Sequence, residues 1–188
     1  MEHTGGVSHV VFGTTGQRLY SASSAKRFCE WDAVSGKLLR QMTGGKAGVS
    51  RLAVDAAGDL VLAAHSRIRV LDLASGKKTK RLTGHPATID CLVVTPDSKC
   101  VVTGAADRFL NFWTLSTEDG DDGSSPVCGL AVDGQAVACS TAVAPSDVGY
   151  FVLAVVDNGA VDVWHVDSDA KGTQRCLCMS ANLVVWCK

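Results

Sequence analysis

Short runs of apolar residues, each broken after a few positions by glycine, serine, asparagine or aspartate, fill this chain from end to end. Nothing between them repeats at helical spacing, so the pattern predicts β-strands joined by tight turns. The third of the units they form shows the grammar most clearly. TIDCLVV (Thr88–Val94) is an apolar strand and TPDSK (Thr95–Lys99) is turn chemistry; CVVTG (Cys100–Gly104) is a second strand, AADR (Ala105–Arg108) a tight turn and FLNFW (Phe109–Trp113) a third strand. The first unit repeats this with VSHVVF, RLYSAS, KRFCEW and a fourth strand, LLRQMT (Leu38–Thr43). The second gives VSRLAV, LVLAAH, IRVLDL and TKRLTG. Aligning RFCEWD, IRVLD, FLNFWT and AVDVWH makes Trp31, Leu71, Trp113 and Trp164 equivalent, at successive spacings of 40, 42 and 51 residues. The longest interval holds an acidic, glycine-rich insertion, TEDGDDGSS (Thr117–Ser125).

A sheet of four strands has two faces to bury, and stacking such sheets radially around a channel buries both. The period of roughly 40–45 residues is that of WD blades, and at this point the third unit resembles the WD-repeat family. Gly84-His85 matches the family's Gly-His dipeptide, and His85, Thr103, Asp107 and Trp113 fall where such proteins keep a side-chain network. The resemblance implies that the turn aspartate and the strand hydroxyl supply partners to a half-buried imidazole and indole, which makes these four residues architectural. In the first unit Ala25 takes the place of the turn aspartate and Gly45 is read at the histidine position; in the second Leu71 replaces the tryptophan; the fourth offers Asn158 and Trp164. The expected fold class is therefore all-β, a WD-repeat β-propeller of about four four-stranded antiparallel blades at 7–43, 49–83, 88–132 and 135–179. ANLVVWCK (Ala181–Lys188) reads as the first strand of a fifth blade. WD rings usually close with about seven blades, within a range of roughly four to eight. The expectation is an incomplete ring, from a fragment or a truncated product. A closed four-bladed ring is the alternative, and it leaves the last strand without a place.

Composition changes this picture little. At 46% hydrophobic and 20% charged residues the chain is globular. Its longest apolar runs, such as YFVLAVV (Tyr150–Val156), have strand length. The start, MEHTGGVSHVVF, lacks the basic-then-apolar pattern of a secretory signal. A net charge of −1 gives no general attraction for nucleic acid or anionic lipid. The eight cysteines stand mostly alone in apolar strands, and the one close pair, Cys176-x-Cys178, has no partner pair to complete a zinc spacing. They read as reduced, buried thiols of a reducing compartment, with neither disulfide nor metal.

Candidate chemistry is sparse. No G-x-S-x-G elbow is present, and the Gly5-Gly6 and Gly44-Gly45 pairs lack a following G-K-[ST]. The carboxylates Glu118, Asp119, Asp121 and Asp122 lack the spacing of a calcium loop and read as a solvated segment. Lys77, Lys78, Lys80 and Arg81 form a basic strand with two open readings: charges that guard a sheet edge, or a contact for phosphate. No catalytic residue, cofactor or metal ligand is expected.

The stretch ADRFLNFW (Ala106–Trp113), the acidic spacer and a divergent fourth unit ending DNGAVDVW (Asp157–Trp164) narrow the resemblance. Together they resemble the nucleolar WD-repeat subunits of the small-subunit processome, of the fifth U-three-associated protein type. The resemblance implies a non-catalytic scaffold in ribosome biogenesis, located in the nucleus and nucleolus. Its implied partners are other proteins of a large complex, with limited contact to pre-ribosomal RNA and with neither membrane nor small-molecule substrate. The competing expectation is a generic WD adaptor of the cytoplasm, such as a ubiquitin-ligase substrate receptor or a signalling scaffold.

Overall fold

A computed structural model describes residues 3–43, 48–56, 58–115, 125–143, 149–168, 174–178 and 186–187. Among them there is no helix. The first blade is β1 (Val7–Phe12), β2 (Arg18–Ser23), β3 (Arg27–Asp32) and β4 (Leu38–Thr43). The second is β5 (Arg51–Val54), β6 (Asp59–Ala64), β7 (Arg67–Asp72) and β8 (Lys78–Thr83); the third is β9 (Ile89–Val94), β10 (Cys100–Ala105), β11 (Phe109–Thr114) and β12 (Cys128–Ala131). The fourth sheet comprises β13 (Ala136–Val143), β14 (Tyr150–Val156), β15 (Val161–Ser168), β16 (Gln174–Cys178) and β17 (Trp186–Cys187). Every pairing within these sheets is antiparallel and sequential, a meander in each case.

The turns are written locally. After β3 and again after β7 comes an aspartate followed three and four residues later by Ser-Gly. Asp32 accepts hydrogen bonds from the Ser35 amide at 2.7 Å and its hydroxyl at 2.8 Å. Asp72 accepts from the Ala74 amide at 2.8 Å and the Ser75 hydroxyl at 2.6 Å. Those bonds hold both carboxyls below the ordinary carboxylate range. Gly36 and Gly76 then turn the chain at a φ of +68°, a conformation that glycine adopts without a Cβ penalty.

The inner strands β1, β5, β9 and β13 lie side by side, and three apolar cores fill the spaces between successive blades. Tyr20, Ala22 and Phe28 of the first blade pack against Val49, Leu52 and Leu71 of the second. Ile68, Val70 and Leu82 of the second meet Ile89, Leu92 and Trp113 of the third. Val102, Leu110 and Phe112 of the third meet Val152, Ala154 and Trp164 of the fourth. Polar bonds cross the same junctions. Ser8 donates to the carbonyl of Val49, and Ser50 reaches that of Ile89 at 3.4 Å. Arg40, paired with the buried Glu30, donates to the Leu73 carbonyl at 2.6 Å.

The carboxy-terminal strand departs from the sequence reading. Trp186 and Cys187 do not begin a fifth blade; they pair with Leu177 and Cys176 and widen the fourth sheet. An outer strand such as β16 offers a row of unpaired backbone groups, and a returning segment satisfies them. Residues 181–185 of that predicted strand lie outside the described residues.

Candidate functional site

The densest cluster of chemistry-bearing side chains lies in the third blade. Residues Thr103 and Trp113 sit on β10 and β11, Asp107 in the hairpin between them and His85 on the segment entering the blade. The structure brings all four together. The Trp113 indole donates to the Thr103 hydroxyl at 2.7 Å, and that hydroxyl lies 2.8 Å from His85 Nε2. His85 Nδ1 lies 2.7 Å from an Asp107 carboxylate oxygen. A carboxylate can only accept, so it fixes a proton on Nδ1. With the ring neutral, Nε2 then accepts from Thr103, and the donors run in one direction from indole to hydroxyl to imidazole to carboxylate. The other Asp107 oxygen accepts from the Phe109 amide at 3.1 Å and so pins the hairpin. Each buried polar atom of the set has a partner within the blade.

The first blade carries a second version that the sequence reading missed. Trp31 donates to the Ser21 hydroxyl at 2.7 Å, and His3 Nε2 lies 2.7 Å from the same oxygen. The imidazole–indole centroid distances are 6.3 Å here and 5.9 Å in the third blade. The histidine position of this blade is therefore His3, and the comparison with Gly45 looked on the wrong side of the unit. The signal was present in the spacing: His3 precedes Ser21 by 18 residues and Trp31 by 28, as His85 precedes Thr103 and Trp113. Ala25 stands in the turn, so this imidazole has no carboxylate there, and its Nδ1 faces Cys29 at 4.0 Å. In the second blade Leu62 and Leu71 occupy the hydroxyl and indole registers, and in the fourth Ala154 occupies the hydroxyl register. Among the described residues those two blades show no such network.

The basic strand divides. Lys77, Lys78 and Arg81 are exposed, but Lys80 is buried and its ammonium lies 3.3 Å from the carbonyl of Thr114 in the next blade. It occupies the register of Arg40 one blade earlier, and both cations reach across to a third-strand end. Lys80 thus leaves the group of phosphate-contact candidates, because its charge points into a blade junction. The carboxylates of 118–122 and the side chains of Cys176, Cys178 and Cys187 lie outside the described residues.

Cys91 of β9 and Cys139 of β13 meet across the third junction. Their thiol–thiol hydrogen bond holds Cys91 below the ordinary thiol range and, with burial, pushes Cys139 well above it. Among the described residues no group of three histidine, cysteine or carboxylate side chains is arranged to hold a metal.

Residues 76–114 match the family described as WD domain, G-beta repeat. The span runs from the turn after β7 to the end of β11 and contains the whole network of the third blade. The chain has the fold of an arc of β-propeller blades, and one stretch of it matches the WD repeat. The arc superimposes on the solved structure of U3-55K with a TM-score of 0.74 at 17% identity, covering 93% of this chain and 52% of that one. It superimposes on the RRP9 WD40 repeats with a TM-score of 0.73, again at 17% identity and with 93% and 52% covered. A curated relative, Autophagy-related protein 16 of Arabidopsis thaliana, is 30% identical over 116 residues, which are 60% of this chain and 23% of that protein. The chain therefore spans about half of the solved propellers and about a quarter of the plant relative.

Proposed function

We propose that this WD arc is a non-catalytic platform for macromolecular assembly in the maturation of small-subunit ribosomal RNA, acting in the nucleolus. One observation carries the non-catalytic reading. The side chains that would do acid–base or nucleophilic chemistry are spent on the blade itself, with both ring nitrogens of His85 bonded inside it. What remains outward is recognition surface. In the ADRFLNFW stretch the same hairpin that anchors Asp107 inward presents Arg108 and Phe109 to solvent. An exposed cation beside an exposed aromatic ring, on a rigid turn, suits protein contact. The stretch is also what supports the processome subgroup, by its resemblance to that family. With near-neutral overall charge, RNA contact is confined to the exposed Lys77, Lys78 and Arg81.

Depleting the protein in its source cells and following precursor and mature ribosomal RNAs tests this reading. Accumulated small-subunit precursors and a nucleolar tagged protein support it; normal maturation with an extranucleolar protein rejects it. A generic WD adaptor is the second reading. It is favoured by the 30% identity to a protein named for autophagy, and it gains from that same rejecting outcome.

A further inference from the structure

Inner strands meet across each junction at a fixed register. At the first, the Leu52 amide of β5 donates to the imidazole of His9 on β1. Read from their pairing with the second strands, these two positions are held by Arg51 and Leu92 at the second junction and by Cys91 and Cys139 at the third. Of the three junctions, the third alone sets two thiols there. Its strands are tied on both sides of the pair: Gln135 donates to an Asp90 carboxylate oxygen at 2.6 Å, and Thr141 donates to the Val94 carbonyl at 3.2 Å. The Cys91 sulfur itself reaches the Ala136 carbonyl of β13 at 3.7 Å. Gly104 on β10 leaves that sulfur its place, since a Cβ there would stand 2.7 Å from it. Cys91 is buried and Cys139 half-buried, so the pair has one side open to a small solute.

We propose that Cys91 and Cys139 are a redox site: a peroxide converts them to a reversible disulfide that bonds the third blade to the fourth. Sulfurs already in hydrogen-bond contact need only side-chain rotation to reach bonding distance. The two thiols divide the work. The hydrogen bond from Cys139 favours the thiolate of Cys91, and the Gly104 amide and the Arg51 charge act in the same direction. The Cys91 thiolate attacks one peroxide oxygen and the O–O bond breaks. Cys91 becomes a sulfenic acid, and the departing oxygen leaves as water with the thiol's proton. The Cys139 sulfur then attacks the Cys91 sulfur and expels the hydroxyl, which takes the Cys139 proton and leaves as a second water. Two thiols and one hydrogen peroxide give one disulfide and two waters; the sulfurs are oxidised and the peroxide oxygens reduced. In a reducing compartment the pair rests as thiols, and a thiol reductant restores it by exchange.

Peptide mapping of the folded chain after a small molar excess of hydrogen peroxide tests this. Under non-reducing conditions the tryptic peptide 82–99, which holds Cys91, should be joined to peptide 109–171, which holds Cys128 and Cys139. Cys128→Ser should leave the link intact. Cys139→Ser should abolish it and leave Cys91 as a sulfenic acid that a cyclic diketone traps. The link closes a long loop, Cys91 and Cys139 being 48 positions apart. The oxidised wild type should therefore melt about 10 °C above the reduced one, and dithiothreitol should return it. A Cys91 that stays a free thiol, or a link that survives Cys139→Ser, overturns the proposal. So does a linked protein that melts no higher than the reduced one, because the bond would then not join the blades as they stand in the fold.

Discussion

The two histidine–hydroxyl–tryptophan networks are the same device at two depths of burial, which allows the device to be measured against itself. In the third blade, Thr103→Val keeps the side-chain volume and removes only the hydroxyl chemistry. Two buried groups lose their partner: the indole N–H of Trp113 and Nε2 of His85. Leaving a buried polar group unsatisfied costs about 1–3 kcal/mol, so the pair should cost about 2–6 kcal/mol together. For a chain of this size each kcal/mol lowers Tm by about 2–4 °C, which puts the expected fall near 10 °C. In the first blade, Ser21→Ala removes the equivalent oxygen from between Trp31 and His3. Both of those rings are half-exposed, so water replaces the lost partner and the cost falls below about 1 kcal/mol. Thermal unfolding followed by far-UV circular dichroism, with both variants in one buffer, reads the difference directly. Equal shifts for the two variants, or a Thr103→Val protein that melts with the wild type, would refute the argument that burial turns this network from a contact into a structural requirement.

Other expectations follow from single contacts. The Leu52 amide donates to His9 Nδ1 at 3.2 Å across the first junction, and burial with the nearby Arg51 charge lowers the pKa of His9 from its usual value near 6.5. A base whose folded pKa is depressed contributes stability above the unfolded pKa and loses it as pH falls. Tm should therefore drop between about pH 7 and 5, and His9→Asn, which keeps an acceptor without a proton to gain, should flatten that drop; an unchanged slope sinks the assignment. Gly104→Ala would place a Cβ 2.6 Å from that of Ala136 and 2.7 Å from the Cys91 sulfur at the third junction. Overpacking of this kind costs about 1–3 kcal/mol, visible as a lower urea midpoint, and a neutral outcome would mean the junction yields. Lys80→Ala should destabilise the fold while Lys78→Ala leaves Tm unchanged, because only Lys80 reaches the next blade. In an RNA-binding titration, Lys78→Ala should be the variant that weakens affinity and shallows the salt dependence; the reverse pattern contradicts the division of the basic strand.

The sequence by itself determined whatever depends on residues close along the chain. Alternating apolar positions, the Asp–Ser–Gly turns after Trp31 and Leu71 and the spacing of the indoles each specify local geometry, so the strands and their meander order were legible. The network of the third blade was legible through the resemblance to WD repeats, whose pattern sets its four members at fixed offsets within one unit. His3 was readable by those offsets too, and was hidden only by the choice of where a unit begins. What the tertiary structure decided is everything that needs two blades at once. Lys78 and Lys80 stand two residues apart and look alike in sequence, yet a bulge in the pairing of β7 with β8 sets them on opposite faces, and one is solvated while the other lies over the next blade's carbonyl. Cys91 and Cys139 stand 48 residues apart and meet only because inner strands are neighbours around the arc. Val10 and Leu52 carry the same apolar signal at the same register, and Leu52 is buried because the first blade packs over it while Val10 is exposed. Hydrophobic pattern records which face of a strand avoids water; whether anything covers that face is settled by the neighbour, and the neighbour is not written in the strand.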